Sequence, residues 1–467
     1  METTLCLDSI KAIRDFFLSD KTPVYFIDWC LFTAIGMDKW IGSLKYICAI
    51  DNFGGRHPGI VSSDTFPYVN KDALEKVNRL LVSNTEISQY IDSHRHNGAA
   101  GKAMFMMLDA ETEKTAGQLG LEVCLPPVAL RQYCDHKANT NRIAEKAGVL
   151  CVPYVLAIVN NYDQLRRIAG HLGEKLVVQR PYGNSGATTY FINSEADFIA
   201  NQKDIVCGEE LKIMKYINCR STGLEACVTR HGVVVAPLTA ELIGFPELTE
   251  HQGGWCGNEM YAHAFPPEIN EKAMNYTIRM GEQLRKEGYK GYFELDFLID
   301  TDDGQFFLGE MNPRFSGISP LTNNASFVQQ DLPLMLLHLL EWMDVDYDLD
   351  VAALNARWAN PKNLEPLSLL YFCHVDDTIV KAPSTGIYQL HPDGSIALSR
   401  YATDFCDVNN ANEAFWLNVS GTQTRIAQGE EVGALILKQR VTSSPNQLTP
   451  QAAAWIKGVK GLFELGV

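Results

Sequence analysis

Two acidic residues, Asp296 and Glu310, stand within apolar segments that have the spacing of β-strands. The segments 293–299 and 306–312 are separated by the turn-forming residues 301–305, which predicts a β-hairpin. With this loop, Asp296 lies directly opposite Glu310. Like charges that face each other across a hairpin destabilise it, whereas a hard cation bound between them makes the pair favourable. The hairpin therefore predicts a site for a divalent cation such as magnesium.

Two further residues extend this chemistry towards the end of the hairpin. Asn312 shares a strand face with Glu310 and offers an amide oxygen to the same cation. Arg314 follows two residues later, and its planar guanidinium suits a phosphate or a carboxylate. By contrast, Asp302 and Asp303 are typical of a solvated turn. Together with the acidic pair, Asn312 and Arg314 predict a magnesium–nucleotide site.

The composition indicates a large, acidic protein. The chain has 467 residues, which suggests about two to four domains. Its net charge of −16 argues against nucleic-acid binding, which usually requires a basic face. The most apolar run, residues 332–343, contains Pro333, His338 and Glu341, so it predicts a buried helix and not a membrane span.

The N-terminus and the cysteines indicate the compartment. Glu2, Asp8 and Asp15 do not fit a signal peptide, which needs positive charge followed by an apolar stretch. The 12 cysteines include no CxxC pair, so neither a zinc site nor a disulfide framework is indicated. We therefore expect a cytoplasmic protein with reduced thiols.

The pattern of apolar runs divides the chain into three regions. Residues 1–134 alternate short apolar runs with helical segments, which predicts a small open α/β domain. Residues 135–345 hold the candidate chemistry and include a small lid subdomain at 165–217. Residues 346–467 predict a mainly β domain. The fold class expected from these patterns is α/β (α+β).

The same patterns predict individual elements. Strands are expected at 24–28, 46–50, 103–108, 175–179, 190–192, 211–217, 223–229 and 232–238, with a hairpin over 386–398. Helices are expected at 111–119, 137–148, 268–286 and after Thr449. Glu241 and residues 255–258 fall in a loop-rich stretch, where they either line a substrate pocket or form an ordinary ordered loop.

The order of motifs in the central region resembles a known superfamily. It begins with Lys137, continues with a glycine-containing loop at 179–189 and a strand at 211–217, and ends with the sequence Glu-Met-Asn-Pro-Arg at 310–314. This order is similar to that of the ATP-grasp superfamily, in its carboxylate–amine (amino-acid or peptide) ligase type, with some likeness to biotin carboxylases. The resemblance covers residues 135–325. It implies an ATP-grasp fold with a pre-ATP-grasp α/β domain before it.

The resemblance implies a role for each site residue. The expected metal ligands are Asp296, Glu310 and Asn312. The expected ATP-binding residues are Lys137, Gln179, Gly183, Asn184, Ser185, Gly186, Met214, Lys215, Tyr216 and Ile217. Among them, the glycines would let backbone N–H groups approach phosphate closely. The expected catalytic residues are Arg314, Lys137 and Arg180.

One position departs from the pattern of the superfamily. The strand before the glycine loop generally ends in a lysine, but this chain has Gln179 followed by Arg180. Either Arg180 replaces the missing charge or Gln179 contacts phosphate through its amide, and the sequence leaves both alternatives open. Lys137 also has a second interpretation, as a solvated lysine at the start of a helix.

The reaction implied by the resemblance is the phosphorylation of a carboxylate by ATP. An amine then displaces phosphate to give an amide, in the synthesis of amino-acid-derived or specialised metabolites. Such chemistry needs positioning and charge stabilisation more than covalent catalysis. In biotin carboxylases a glutamate soon follows the arginine, whereas here no acid follows Arg314 until Asp331. A biotin-carboxylase-like carboxylase, an ATP-grasp kinase and a non-catalytic nucleotide-binding regulator remain as alternatives.

The expected cofactors are ATP and Mg2+, with two metal ions and with Mn2+ able to substitute. The expected partners are a small carboxylate and a small amine, with no nucleic acid and no membrane. A homodimer is compatible with the resemblance.

Overall fold

A computed structural model of the protein describes residues 6–63, 65–66, 74–183, 186, 188–251, 253–373, 379–421, 426 and 429–465. Three larger β-sheets follow one another along these residues, and we call them the N-terminal sheet, the lid sheet and the long sheet. Small sheets pair Cys6–Leu7 with Asp346–Tyr347, Ile379–Lys381 with Glu464–Leu465, and Thr442–Ser444 with Gln447–Leu448.

The N-terminal sheet is parallel. Its strands are, in spatial order, Ile60–Val61, Leu44–Cys48, Val24–Asp28, Gly101–Phe105 and Leu121–Val123. The helices of this region are Ile10–Ser19, Leu74–Ser83, Thr85–Ser93 and Ala110–Gln118. Val24–Asp28 and Gly101–Phe105 are buried along their whole length, as central strands of a parallel sheet are. The predicted open α/β sheet is confirmed, although the strands predicted at 46–50 and 103–108 begin two residues earlier.

Two consecutive helices, Val128–Asp135 and Lys137–Ala147, lead from the N-terminal sheet to the lid sheet. The second helix ends at Gly148, which has φ of +64° in the left-handed region that glycine adopts without strain. The sequence predicts this helix and its stop correctly.

The lid sheet is antiparallel. Its strands are, in spatial order, Tyr154–Ala157, Leu211–Lys215, Leu176–Gln179 and Thr189–Ile192. The helices Tyr162–Ala169, Glu195–Ala200 and Gln202–Ile205 contribute apolar side chains to the core of this sheet. The strand predicted at 211–217 ends at Lys215, so Tyr216 and Ile217 lie beyond it.

The long sheet has 11 strands, and all of its pairings are antiparallel. Its spatial order is Phe306–Asn312, Gly291–Asp300, Cys219–Thr229, Thr239–Ile243, Trp255–Met260, Leu367–Cys373, Glu431–Leu437, Glu413–Asn418, Gly386–Leu390 and Ile396–Arg400, with Gly232–Val235 also paired to Cys219–Thr229. The expected loop-rich stretch around Glu241 and residues 255–258 is therefore wrong, because both lie on paired strands. The predicted hairpin at 386–398 is confirmed.

The long sheet continues across residue 345, where the sequence predicts a domain boundary. Strand Trp255–Met260 pairs with strand Leu367–Cys373, so backbone hydrogen bonds join the central region to the C-terminal region. The helices of these two regions are Pro267–Lys286, Ser319–Asn324, Leu334–Leu340, Val351–Trp358 and Pro450–Lys460. The division into 1–134, 135–345 and 346–467 stays a prediction.

A buried histidine joins the N-terminal region to the long sheet. His338 lies on helix Leu334–Leu340, every residue of which is buried. Its Nδ1 accepts a hydrogen bond of 3.0 Å from the Tyr292 N–H, and its Nε2 therefore donates to the Cys124 carbonyl oxygen at 2.7 Å. Burial lowers the pKa of His338 to about 3, so the ring is neutral in the folded protein. In the part of the chain that the structure describes, no helix is both long and apolar enough to cross a membrane.

Candidate active site

The acid hairpin, residues 291–312, lies at the edge of the long sheet, and the predicted pairing of Asp296 with Glu310 is confirmed. Asp296 is paired with Glu310, and Glu294 is paired with Asn312. The register then shifts, since Phe297 pairs with Leu308 and leaves Gly309 as an extra residue. Such a bulge kinks a strand and re-aims the neighbouring side chain. Here the neighbouring side chain is that of Glu310.

The acidic residues of the hairpin strongly affect one another. Burial, and next the charge of Glu310, raise the pKa of Asp296 to about 7, although Lys137 and Arg314 act in the opposite direction. Burial and neighbouring acids raise the pKa of Glu294 and Glu241 well above their ordinary range. A concentration of carboxyl groups of this kind is costly unless protons or a cation neutralise it.

The carboxylate pair passes a simple test of fit for magnesium. Asp296 Oδ1 is buried and accepts no hydrogen bond from the described residues. No group of three His, Cys, Asp or Glu side chains with a metal-binding arrangement occurs among those residues. The candidate set is instead two carboxylates, Asp296 and Glu310, with the amide of Asn312. Magnesium commonly binds through one or two carboxylates together with substrate phosphates, so this set suits it.

Lys137 connects the acid hairpin to the glycine loop. It is the first residue of helix Lys137–Ala147, and only 3% of its surface is exposed. Its Nζ forms an ion pair with Glu310 and donates a hydrogen bond of 3.3 Å to the Gly183 carbonyl oxygen. The interpretation of Lys137 as a solvated lysine at the start of a helix is therefore wrong, because the side chain is buried between the two elements.

The glycine loop uses two glycines where side chains would clash. Gly183 has φ of +156°, and a Cβ there would lie 1.9 Å from Thr188 Oγ1. Gly186 has φ of +76°, and a Cβ there would lie 2.8 Å from the Gly253 carbonyl oxygen. The loop backbone thus approaches its neighbours more closely than other residues allow. The predicted ATP-binding residues Asn184 and Ser185 lie outside the described residues.

Gln179 and Arg180, the two candidates for the missing lysine, are engaged in other contacts. The Gln179 side chain is buried and donates a hydrogen bond of 3.1 Å to Thr189 Oγ1. The Arg180 guanidinium lies 3.1 Å from Glu209, an exposed acid of the lid region. These contacts hold both side chains within the lid sheet and its surroundings.

Lys212 is a buried lysine that sequence reasoning missed. It is paired in register with Gln179 on the neighbouring strand, and 2% of its surface is exposed. Its Nζ donates a hydrogen bond of 2.6 Å to the carbonyl oxygen of Gly309, the bulge residue beside Glu310. Burial lowers the pKa of Lys212 to about 8. A lysine within the apolar sequence 211–214 is the signal that could have found it, because a buried charge needs a partner.

The predicted adenine-binding residues border an apolar cluster. Met214 is buried with Val152, Val177 and Phe307, and partly buried hydrophobic side chains pack against them. These side chains include Tyr216 and Ile217 from the predicted set. Lys215 is exposed. An apolar wall at the end of a strand suits the flat face of an aromatic ring.

Arg314 is placed beside the hairpin by polar contacts. It is buried, and its Nη1 donates a hydrogen bond of 2.5 Å to Asn312 Oδ1 and lies 3.5 Å from Asp135. The Asn312 amide in turn donates to Glu294 at 3.1 Å and to Asp296 at 3.2 Å. The structure therefore brings Lys137, Asp296, Glu310, Asn312 and Arg314 together, as the sequence predicts.

A cavity of about 620 Å³ opens between Arg314 and the N-terminal sheet. Its wall includes Arg131, another residue that sequence reasoning did not single out. The cavity is lined by Glu75, Met107, Leu108, Asp109, Arg131, Gln132, Asp135, Tyr182, Gly183, Pro313 and Arg314. Met107–Asp109 follow the carboxyl end of strand Gly101–Phe105, and ligands of open parallel sheets bind at that end.

Comparison with known proteins identifies the fold. No protein-family model matches the chain. The chain is 24% identical over 218 residues to the [butirosin acyl-carrier protein]–L-glutamate ligase of Niallia circulans, and the match covers 43% of this chain and 47% of that protein. The chain thus spans about half the length of this curated relative.

Two solved structures resemble nearly the whole chain. The biotin carboxylase domain of 2-oxoglutarate carboxylase from Hydrogenobacter thermophilus, solved as a dimer with MgADP, ADP and bicarbonate, has a TM-score of 0.60 at 12% identity, covering 95% of this chain and 91% of that one. N5-carboxyaminoimidazole ribonucleotide synthetase from Thermus thermophilus has a TM-score of 0.57 at 13% identity, covering 95% and 99%. The chain therefore has the ATP-grasp fold that the sequence predicts.

Proposed function

We propose that this protein is an ATP-dependent carboxylate–amine ligase, which forms an amide through an acylphosphate and releases ADP and phosphate. The observation that carries the proposal is the pairing of Asp296 with Glu310 across the hairpin, with Lys137 and Lys212 beside it. Acids and lysines at such close range suit a site where a metal and a triphosphate bind together. The relatives compared above also support an ATP-dependent enzyme.

Asp296, Glu310 and Asn312 would hold magnesium, with two ions at the full site. Bound there, magnesium would neutralise charge on the phosphate oxygens. In the folded chain Lys137 forms the ion pair with Glu310. We therefore propose that Lys137 moves from Glu310 to a phosphate oxygen when the substrates bind, which leaves Glu310 available as a ligand.

Lys212 supplies the second positive charge for the triphosphate in this proposal. The position before the glycine loop holds Gln179 in place of lysine, and Lys212 is its partner on the adjacent strand. Residues paired across a sheet project from the same face. The ammonium group of Lys212 therefore lies on the same face as the Gln179 side chain, one strand away from it. Arg180, which forms an ion pair with Glu209, is not needed for this role.

Arg314 orients the carboxylate that is phosphorylated. Its guanidinium is buried beside Asn312 and borders the 620 Å³ cavity. A buried, fixed cation at this position lowers the cost of bringing two anions together, which is the main difficulty of phosphoryl transfer to a carboxylate.

A bicarbonate-dependent carboxylase is the second candidate, and the contacts of the segment after Arg314 argue against it. Residues 315–330 contain no acid. Ser316 and Ser319 of this segment instead donate hydrogen bonds of 2.8 and 2.6 Å to Glu225, which also accepts one from the Tyr292 hydroxyl. Glu225 is thus occupied in holding the segment and is not free to act as a base.

Isotope transfer tests the proposal. Amino acids are first screened in pairs, as carboxylate and amine, for consumption of ATP in the presence of magnesium. The active pair is then supplied with 18O in the carboxylate. An acylphosphate route transfers one labelled oxygen to the released phosphate, because the carboxylate oxygen that attacks phosphorus leaves with it.

Other results would contradict this route. Label in AMP would indicate an adenylate, and label in neither product would rule out activation of the carboxylate by phosphoryl or adenylyl transfer. A stable phosphorylated product without phosphate release would indicate a kinase. The cytoplasmic location and the homodimer remain predictions from the sequence.

A further inference from the structure

Arg131 is a buried cation whose hydrogen-bonding capacity is largely unused. It lies on helix Val128–Asp135, and 6% of its surface is exposed. Its Nη2 donates a hydrogen bond of 3.1 Å to the Met106 carbonyl oxygen, but Nε and Nη1 have no partner among the residues that the structure describes. A buried guanidinium with two unused donors is costly, so a fold retains it where something else supplies the acceptor.

The surroundings of Arg131 indicate an anionic acceptor. Arg131 and Arg314 are cations of the same region. Burial lowers the pKa of Arg131 and the charge of Arg314 acts in the same direction, whereas Tyr289, Asp135 and Glu75 act in the opposite direction. Both residues line the same cavity. One carboxylate bound between two guanidinium groups would relieve their repulsion and satisfy the unused donors, since a carboxylate accepts from several donors at once.

The remainder of the cavity has the opposite charge. Glu75, Asp109 and Asp135 line it together with the two arginines. Asp135 lies 3.5 Å from Arg314, and Asp109 accepts hydrogen bonds from Thr112, so both have partners within the protein. Glu75 stands at the beginning of helix Leu74–Ser83 and brings a further negative charge to the wall. Arginines and acids in one cavity suit a small molecule that carries both charges.

We propose that this cavity binds the carboxylate substrate as a zwitterionic amino acid, whose carboxylate contacts Arg131 and Arg314 and whose ammonium group faces Glu75. The inference rests on the proposed function, in which the carboxylate beside Arg314 is the one that is phosphorylated. It adds that Arg131, contributed from outside the lid and the long sheet, selects the substrate by charge. The volume of about 620 Å³ leaves room for a side chain beyond the two charged groups.

Direct binding measurements test the inference without requiring turnover. Titration calorimetry of the full chain with magnesium and a non-hydrolysable ATP analogue is carried out with each protein amino acid. Every amino acid that binds is then compared with the matched acid that lacks the amine and the matched amine that lacks the carboxylate. We expect at least one amino acid to bind, and both analogues to bind at least tenfold more weakly.

Two variants assign the charges to residues. Arg131→Met should weaken amino-acid binding at least tenfold, while the midpoint of denaturant unfolding stays level or rises because a desolvated charge is removed. Arg285→Met is the matched control. Arg285 is an exposed arginine of helix Pro267–Lys286, it pairs with Glu282, and it does not line the cavity. If Arg131→Met does not fold, Glu75→Gln gives an independent test. It should weaken binding of the amino acid but not of the acid that lacks the amine.

Three results would overturn the inference. The first is that no amino acid binds, and the second is that an amino acid and the matched acid without the amine bind equally well. The third is that Arg131→Met or, if that variant does not fold, Glu75→Gln binds the amino acid like the parent protein. The outcome is separable from that of the isotope experiment. If an amino acid binds through Arg131 but the released phosphate carries no label, the pocket is upheld and the acylphosphate is rejected. If the phosphate is labelled by a carboxylate substrate that has no amine, the acylphosphate is upheld and the amino-acid pocket is rejected.

Discussion

Lys212 and Gln179 are direct partners across the lid sheet, and the lysine is the one that contacts the acid hairpin. Their Cα atoms are paired in register, and both side chains are buried. Lys212 Nζ lies 2.6 Å from the Gly309 carbonyl oxygen, whereas Gln179 is hydrogen-bonded to Thr189 within the lid sheet. In the proposed function, Lys212 therefore supplies from the neighbouring strand the positive charge that the superfamily pattern places before the loop.

Replacing Lys212 with methionine should weaken ATP binding. The substitution keeps the length and packing of the side chain but removes a charge that we place on the triphosphate. We expect the Kd for magnesium–ATP to rise about tenfold or more, which corresponds to about 1.4 kcal/mol or more of lost binding free energy. Titration calorimetry measures this change.

The control for Lys212→Met is Lys203→Met, since Lys203 is an exposed lysine of the lid region. That variant should bind ATP like the parent protein. If Lys212→Met also retained the parent affinity, Lys212 would have only a structural role and Gln179 or Arg180 would again be candidates for the phosphate contact.

Glu310→Gln should abolish turnover without unfolding the protein. The amide keeps the size of the side chain but removes the charge that would hold magnesium. It relieves the repulsion with Asp296, but it also leaves the buried Lys137 ammonium without its ion-pair partner, so the free energy of unfolding should fall while the protein stays folded. Phosphate release and denaturant unfolding, measured on the same preparation, test both parts. Turnover at the parent rate would reject the metal site.

Gly186→Ala should impair closure of the glycine loop more than it impairs ATP binding. At φ of +76° a Cβ is strained, and it would lie 2.8 Å from the Gly253 carbonyl oxygen. Strain of this kind costs about 1 kcal/mol or more. Closure excludes water from a hydrolysable acylphosphate, so kcat should fall by a larger factor than ATP affinity. Gly208→Ala is a useful comparison, because a Cβ at Gly208 meets nothing within 4 Å although φ is also positive.

Equal losses of kcat and ATP affinity in Gly186→Ala would contradict a special role for loop closure. The comparison variant separates the cost of positive φ from the cost of the contact with Gly253. A similar decrease of kcat in Gly208→Ala would show that backbone strain alone explains the effect.

His338 should make the folded protein sensitive to acid. Its pKa is about 3 when folded, against 6.5 ordinarily, so between these values the unfolded chain holds more protons. Stability contributed by neutral His338 is therefore present above pH 6.5 and is lost as the pH falls towards 3. Through His338, the free energy of unfolding should change by at most about 1.4 kcal/mol per pH unit.

His338→Gln tests this dependence. Glutamine retains a donor and an acceptor but does not titrate, so the variant should be less stable than the parent at pH 8 yet lose less stability between pH 6.5 and 5. His171→Gln is the control, since His171 is exposed. Denaturant unfolding at several pH values measures the difference. Parallel pH profiles for parent and His338→Gln would assign the acid sensitivity to other groups.

The sequence predicts the acid hairpin in detail because local signals agree. Period-two alternation places Asp296 on one strand face, and the Asp-Gly turn joins the two strands. The pairing with Glu310 also depends on the bulge at Gly309, which the sequence analysis does not predict. The importance of Lys212 has no local signal beyond an unexpected charge in an apolar strand. It depends on which strand lies beside which in the lid sheet, and that pairing is not encoded in either strand alone.

Long-range pairings explain the other differences. Glu241 and residues 255–258 have glycine and polar residues that favour a loop, yet they form strands because other strands supply hydrogen-bond partners. Strand 239–243 pairs with 219–229 and 255–260, and strand 255–260 also pairs with 367–373. Arg131 lies on a helix whose sequence gives no reason to expect an unpaired buried cation. Its position becomes informative only once the cavity that it shares with Arg314 is known.

The unbroken long sheet restricts how this protein can diversify. Strand Trp255–Met260 is hydrogen-bonded to strand Leu367–Cys373, which lies after residue 345. In addition, buried Glu259 accepts hydrogen bonds from the backbone N–H groups of Val441 and Thr442. A recombination event that exchanged the segment after 345 would have to deliver a strand in matching register and donors for Glu259. New substrate preferences are therefore expected to arise through point substitutions around the cavity and not through the exchange of C-terminal segments between relatives.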